Sequence, residues 1–150
     1  MPEEYWKLVE PIWDEISIRE GPEKFLQDFA KAPERPRLLY AAHWAQSEAM
    51  NGGLGQFFYN RTGILAPEAV EAFRSIGMPQ TAAVLLDAMT FFGDPYPRDR
   101  ATRQEAFARF YEQEGEDAIP LHEQEDQFAE LIEEENGGFW DAADRFSANG

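Results

Sequence analysis

The chain has 150 residues, 43% of them hydrophobic, and 29 acidic against 13 basic side chains give a formal net charge of −16. That length fits one domain, and 12 Phe, 5 Tyr and 4 Trp supply enough core material to exclude a disordered chain. The lack of Cys excludes disulfides and thiolate metal sites, no apolar run nears the roughly 18–20 residues of a membrane span, and the charge opposes direct contact with nucleic acid or an anionic membrane. The acidic start, Met-Pro-Glu-Glu, is unlike a signal peptide, so a cytoplasmic location is the expectation.

Apolar residues recur at helical spacing, and strand-like alternation is missing. The pattern predicts an all-α protein, a compact single domain over 1–150 of about eight or nine helices. The first segment, from Pro2 to about Arg19, aligns Tyr5, Leu8, Val9, Ile12, Trp13 and Ile16, with Pro11 expected to kink or split it. Gly21-Pro22 stops it and opens a second helix carrying Phe25, Leu26 and Phe29. Ala32 to Pro36 reads as a connector. A third helix, about Arg37 to Met50, turns Leu38, Leu39, Ala42 and Ala45 inward.

Asn51-Gly52-Gly53 interrupts that helix. A short aromatic helix, Gln56 to Asn60, follows, and Arg61-Thr62-Gly63 turns the chain again. Pro67 opens a helix with Val70, Phe73 and Ile76 on one side, and Pro79 opens another with Ala82, Leu85, Leu86, Met89 and Phe92. Gly93 to Arg98 is a loop. Beyond it, Phe107, Phe110 and Tyr111 mark one helix, and Leu121, Phe128, Leu131 and Ile132 mark the next. A second Asn-Gly-Gly, Asn136 to Gly138, precedes Phe139, Trp140 and Phe146, which are expected to dock the tail. Three shared residues are too few to establish an internal repeat.

The charge is uneven. Residues 1–104 hold 15 acids and 11 bases, net −4, whereas residues 105–150 hold 14 acids and two bases, Arg109 and Arg145, net −12. A near-neutral part (1–93) thus precedes an acidic part (about 100–150). In the helix near 121–134, about 100° per residue puts Glu123, Asp126, Glu130, Glu133 and Glu134 opposite the apolar side. No Lys or Arg interrupts these five acids, whereas an ordinary surface helix mixes signs to gain i,i+4 pairs. Glu112, Glu114, Glu116 and Asp117 are candidates to extend the patch.

Sequence signals for catalysis are thin. Neither His43 nor His122 stands in a Glu-x-x-His pair, and no calcium loop, nucleophile elbow or P-loop lysine occurs. No catalytic residue, metal ligand or cofactor is expected, and His43 reads as a partly buried structural histidine. The dense stretch is Glu48 to Gly63, where Glu48, Asn51, Gln56 and Asn60 crowd beside Phe57, Phe58 and Tyr59. The favoured reading is that these polar groups satisfy backbone at a tight interhelical turn. The functional alternative is a polar pocket or docking knuckle.

Glu48, Asn51, Gly52, Gly53, Gln56, Phe57, Phe58, Asn60 and Gly63, followed by Ala72 to Ile76-Gly77 and by Asp87-Ala88, resemble the hallmark of a family of small bacterial proteins known as a domain of unknown function. Its best-known member is a DNA mimic. The match covers about residues 35–93, and the resemblance implies a mostly helical fold and a homodimer. Carboxylates at i,i+3 and i,i+4 lie roughly 5–6 Å apart at Cβ, which approximates the phosphate spacing along a strand. The expected function is therefore a non-catalytic acidic regulator that occupies the DNA-binding face of a basic partner, such as a transcription factor, through Glu123, Asp126, Glu130, Glu133 and Glu134. The alternatives are an immunity or antitoxin-like inhibitor of one basic toxin, and a small-molecule-binding protein using Glu48 to Asn60.

Overall fold

The computed structural model describes residues 3–18 and 21–148. Pro2 and Arg19, the expected limits of the first segment, lie outside these residues. Among the described residues there are nine α-helices and no strand, and the fold is all-α. The helices are α1 (Glu3–Trp13), α2 (Pro22–Lys31), α3 (Glu34–Gly52), α4 (Leu54–Tyr59), α5 (Ala66–Ser75), α6 (Pro79–Met89), α7 (Arg100–Glu114), α8 (His122–Glu134) and α9 (Phe139–Ala148). Short 3-10 segments follow α4, α6 and α8. No described helix is long and apolar enough to cross a membrane.

The longest helix, α3, is the axis of the fold. Leu38, Leu39, Tyr40, Ala41, Ala42 and Ala45 are all buried, so it is covered round most of its circumference rather than along one stripe. It touches α1, α4, α5, α8 and α9. Alanines at the contacts, Ala41, Ala42, Ala69 and Ala72 among them, let helix backbones approach closely. Phe73 of α5 meets Phe128 of α8 and Phe139 of α9 edge-on, at ring separations of 5.8 and 6.0 Å. These contacts seat the acidic C-terminal helices on the same core as the rest of the chain.

Several boundaries differ from the sequence reading. Pro11 does not split the first segment; it lies in the last turn of α1, which ends two residues later. The expected connector from Ala32 to Pro36 is shorter, because α3 already starts at Glu34 behind Pro33. Pro36 is tolerated there because first-turn residues have no intrahelical acceptor to reach. The two Asn-Gly-Gly turns are not equivalent. Asn51 is still helical within α3 and Gly53 makes the turn at φ 91°, whereas Asn136 itself is left-handed at φ 54°. In the tail Phe139 is buried and Phe146 packs under the Arg35 guanidinium, 4.7 Å from its ring centre. Trp140 corrects the expectation of three docked aromatics: it is 50% exposed.

Candidate functional site

The Glu48–Gly63 stretch folds into a knuckle joining α3 to α4. Glu48 Oε2 accepts hydrogen bonds from Gln56 Nε2 at 3.0 Å and Asn60 Nδ2 at 2.8 Å. The expected role for these groups was to satisfy backbone; instead they bind one another across the turn. Gly52 makes room for this, since a Cβ there would sit 1.9 Å from Gln56 Oε1. Gly53 supplies the positive φ that reverses the chain, and Leu54, Phe57 and Phe58 anchor α4 in the core.

The far end of the knuckle is clamped by Arg103, which the sequence reading missed. Its side chain is fully buried. Nε donates to the Phe58 carbonyl at 2.8 Å, one terminal nitrogen to the Asn60 carbonyl at 2.9 Å, and the other to the Arg98 carbonyl at 2.6 Å and the Pro97 carbonyl at 3.3 Å. Carbonyls at the C-terminal end of α4 are the negative end of its dipole, so a cation is favoured there. Gly63 lies under the same guanidinium: a Cβ would stand 2.8 Å from Arg103 Nε and 3.0 Å from the carbonyls of Phe57 and Phe58. Tyr96 completes the clamp, its hydroxyl donating to the Gly63 carbonyl at 2.6 Å, and burial raises its pKa. The Arg-Asp-Arg-Ala-Thr-Arg run before Gln104 was the available signal: three arginines are dense in so acidic a chain.

Two sets of acids stand out in the C-terminal part. Glu123, Asp126, Glu130, Glu133 and Glu134 are all exposed along α8, as the periodicity predicts, and Phe128 and Ile132 are buried behind them. Among the described residues none of the five forms an ion pair with Lys or Arg; Asp126 lies 3.9 Å from His122, which is charged only when protonated. The second set works inside the fold. Glu125 accepts from the Gly55 amide at 2.9 Å, and Glu135 accepts from the amides of Gln80 and Thr81 at 2.8 and 2.7 Å and from the Thr81 hydroxyl at 2.7 Å. Those amides belong to the first turns of α4 and α6, where backbone donors have no helical partner. Glu125 had a sequence signal: about 40° from Leu121 on the helical projection, it is an acid on the apolar side.

Beside the knuckle runs an open groove of about 790 Å³, lined by Gln56, Asn60 and Tyr59 from the α3–α4 region, by Phe107 and Tyr111 of α7, and by the loop from Glu116 to Pro120. Glu48 and Asn51 are not part of its lining. The enclosed pocket that a small-molecule reading of Glu48 to Asn60 calls for is therefore replaced by a surface cleft.

His43 sits in an aromatic cluster, with Trp6, Trp13 and Trp44 ring centres 5.2, 5.7 and 6.3 Å away. Its Nδ1 is 2.9 Å from the Tyr5 hydroxyl, and burial lowers its pKa to about 4. Tyr5 is pushed up to about 12 by burial and by Asp144, whose carboxylate accepts the Tyr5 amide at 3.0 Å. At neutral pH this pair is uncharged and holds α1 to α3.

Fold and site together define an all-α acidic protein that presents a row of exposed carboxylates without a Lys or Arg partner among the described residues on one outer helix and fixes its interhelical knuckle through internal polar contacts. The chain belongs to the DMP19-like protein family, whose sequence profile matches residues 30–148. No curated protein and no solved structure matches it.

Proposed function

We propose that the protein is a non-catalytic regulator that binds the DNA-binding face of a basic protein and competes with DNA for it. Membership of the DMP19-like family fits a DNA-mimic role. The observation that carries this reading for the present chain is the outer face of α8, where Glu123, Asp126, Glu130, Glu133 and Glu134 are exposed without a Lys or Arg partner among the described residues. An exposed one-signed row keeps its field where no Lys or Arg neutralises it. Duplex DNA offers about one charge per 1.7 Å of axis, and a basic cleft shaped to that density is attracted to carboxylates stacked at turn spacing.

The test is affinity capture at low salt with the native protein and with a variant in which the five acids are replaced by Lys. The native protein is expected to retain basic proteins that salt elutes and that excess duplex DNA displaces. The variant is expected to retain none of them while keeping its helical spectrum. Equal capture by both proteins, or partners that duplex DNA fails to displace, overturns the proposal.

A further inference from the structure

We propose that the groove beside the knuckle is an anchor site for an arginine side chain carried on a basic segment of the partner. This rests on the reading that the partner is basic, and it gives that partner a specific point of attachment. The groove combines two features. Glu116, Asp117 and Glu125 line it, and its lining contains no Lys, Arg or His, so its local charge is −3. It also exposes apolar rings and a branched side chain: Tyr59 is 49% exposed, Tyr111 38% and Ile119 57%.

The rings are held rather than free. Tyr59 leans on Phe107 at 5.9 Å between ring centres, and Tyr111 meets Phe110 edge-on at 5.9 Å. Glu125 is fixed too, by the Gly55 amide on Oε1. A site built of fixed groups loses little freedom when it is filled. Carboxylates alone accept any cation, but a carboxylate beside an exposed ring selects a planar one. A guanidinium stacks on the ring face while its edge donates to the carboxylate, which the strongly hydrated lysine ammonium does less well. Partner binding then divides its labour: α8 supplies long-range attraction, and the groove supplies a contact concentrated in one buried anchor.

The experiment is an amide NMR titration of the full chain with an end-capped diarginine peptide and its dilysine counterpart. The diarginine peptide is expected to move the amides of Gly52, Gly55 and Tyr111, and to bind about threefold more tightly than dilysine. Tyr111→Ala combined with Asp117→Asn is expected to weaken it about tenfold. Asp117→Asn alone, on an exposed loop, is expected to weaken it by a smaller factor and guards against misfolding of the double variant. Replacing Glu130 and Glu134 by Lys on the outer face of α8 is expected to leave the groove amides responsive. Groove amides that stay still, equal binding of dilysine, or undiminished binding by both groove variants overturns the proposal. Failure of the regulator reading looks different: capture is then unaffected by the five-acid replacement while the diarginine shifts persist.

Discussion

Glu125, on the inward side of α8, holds the Gly55 amide in the first turn of α4 at 2.9 Å, across 70 residues of sequence. It acts as a helix cap supplied by tertiary structure, since neither Gly53 nor Leu54 carries a side chain that can accept that bond. Glu135 does the same for the first turn of α6. These two acids of the strongly negative C-terminal part therefore belong to the architecture, whereas the exposed five on α8 make no such bond within the described residues.

These caps predict a separation of roles. Glu125→Ala and Glu135→Ala are each expected to destabilise the fold by about 1–2 kcal/mol, the usual cost of losing a cap. Ala at Glu130 or Glu134 is expected to change stability by less than about 0.5 kcal/mol, as at other exposed positions. Urea denaturation of the four variants checks this; equal losses at all four positions would refute it.

The knuckle makes a second prediction. Glu48→Ala removes the shared acceptor of Gln56 and Asn60 and leaves two part-buried amides without it. A loss of about 1–3 kcal/mol is expected, because unsatisfied donors carry their desolvation cost. Thermal unfolding reads this directly, and no change in midpoint would mean that water replaces the carboxylate.

Gly63 and Arg103 form the third. Gly63 does not need a positive φ; what it lacks is room for a Cβ against Arg103 Nε and two carbonyls. Gly63→Ala is expected to cost about 1–3 kcal/mol by overpacking. Arg103→Lys is expected to cost about 3 kcal/mol or more, since one ammonium cannot reproduce the fork that reaches four carbonyls. Gly63→Ala in an Arg103→Lys background should cost less than in the native chain, because the clash and the clamp share the guanidinium. Strict additivity in the denaturation midpoints would count against this geometry.

A pH dependence follows from His43. Its pKa falls from 6.5 in the unfolded chain to about 4 in the fold, through burial. Between these values the unfolded state binds the extra proton, so stability is full above about pH 6.5 and declines as pH falls toward 4, by about 3 kcal/mol for a shift of this size. His43→Gln is expected to flatten the dependence of the urea midpoint between pH 5 and 6.5. If the variant and the native chain keep the same slope, His43 is not the group responsible.

The sequence by itself determined the fold class, the inward faces of α3, α5 and α8 and the outward row on α8, though not that Leu86 of α6 and Tyr111 of α7 stay exposed. These are properties of residue spacing along a single helix: Phe128 and Ile132 fix which side of α8 is covered, and Glu123, Asp126, Glu130, Glu133 and Glu134 take the other whatever the helix packs against. The Glu48–Gly63 motif was likewise legible as a turn, since Gly53 can adopt a φ that other residues resist. Only the tertiary structure decided what the polar groups bind. Helix caps from Glu125 and Glu135, the Arg103 clamp and the groove between Tyr59, Tyr111 and the Glu116–Asp117 loop join residues far apart in the chain. Their partners depend on helix crossing and loop path, which periodicity does not encode. The same limit explains Trp140, apolar by type yet exposed, because an apolar residue is drawn inward only if its helix face meets the core.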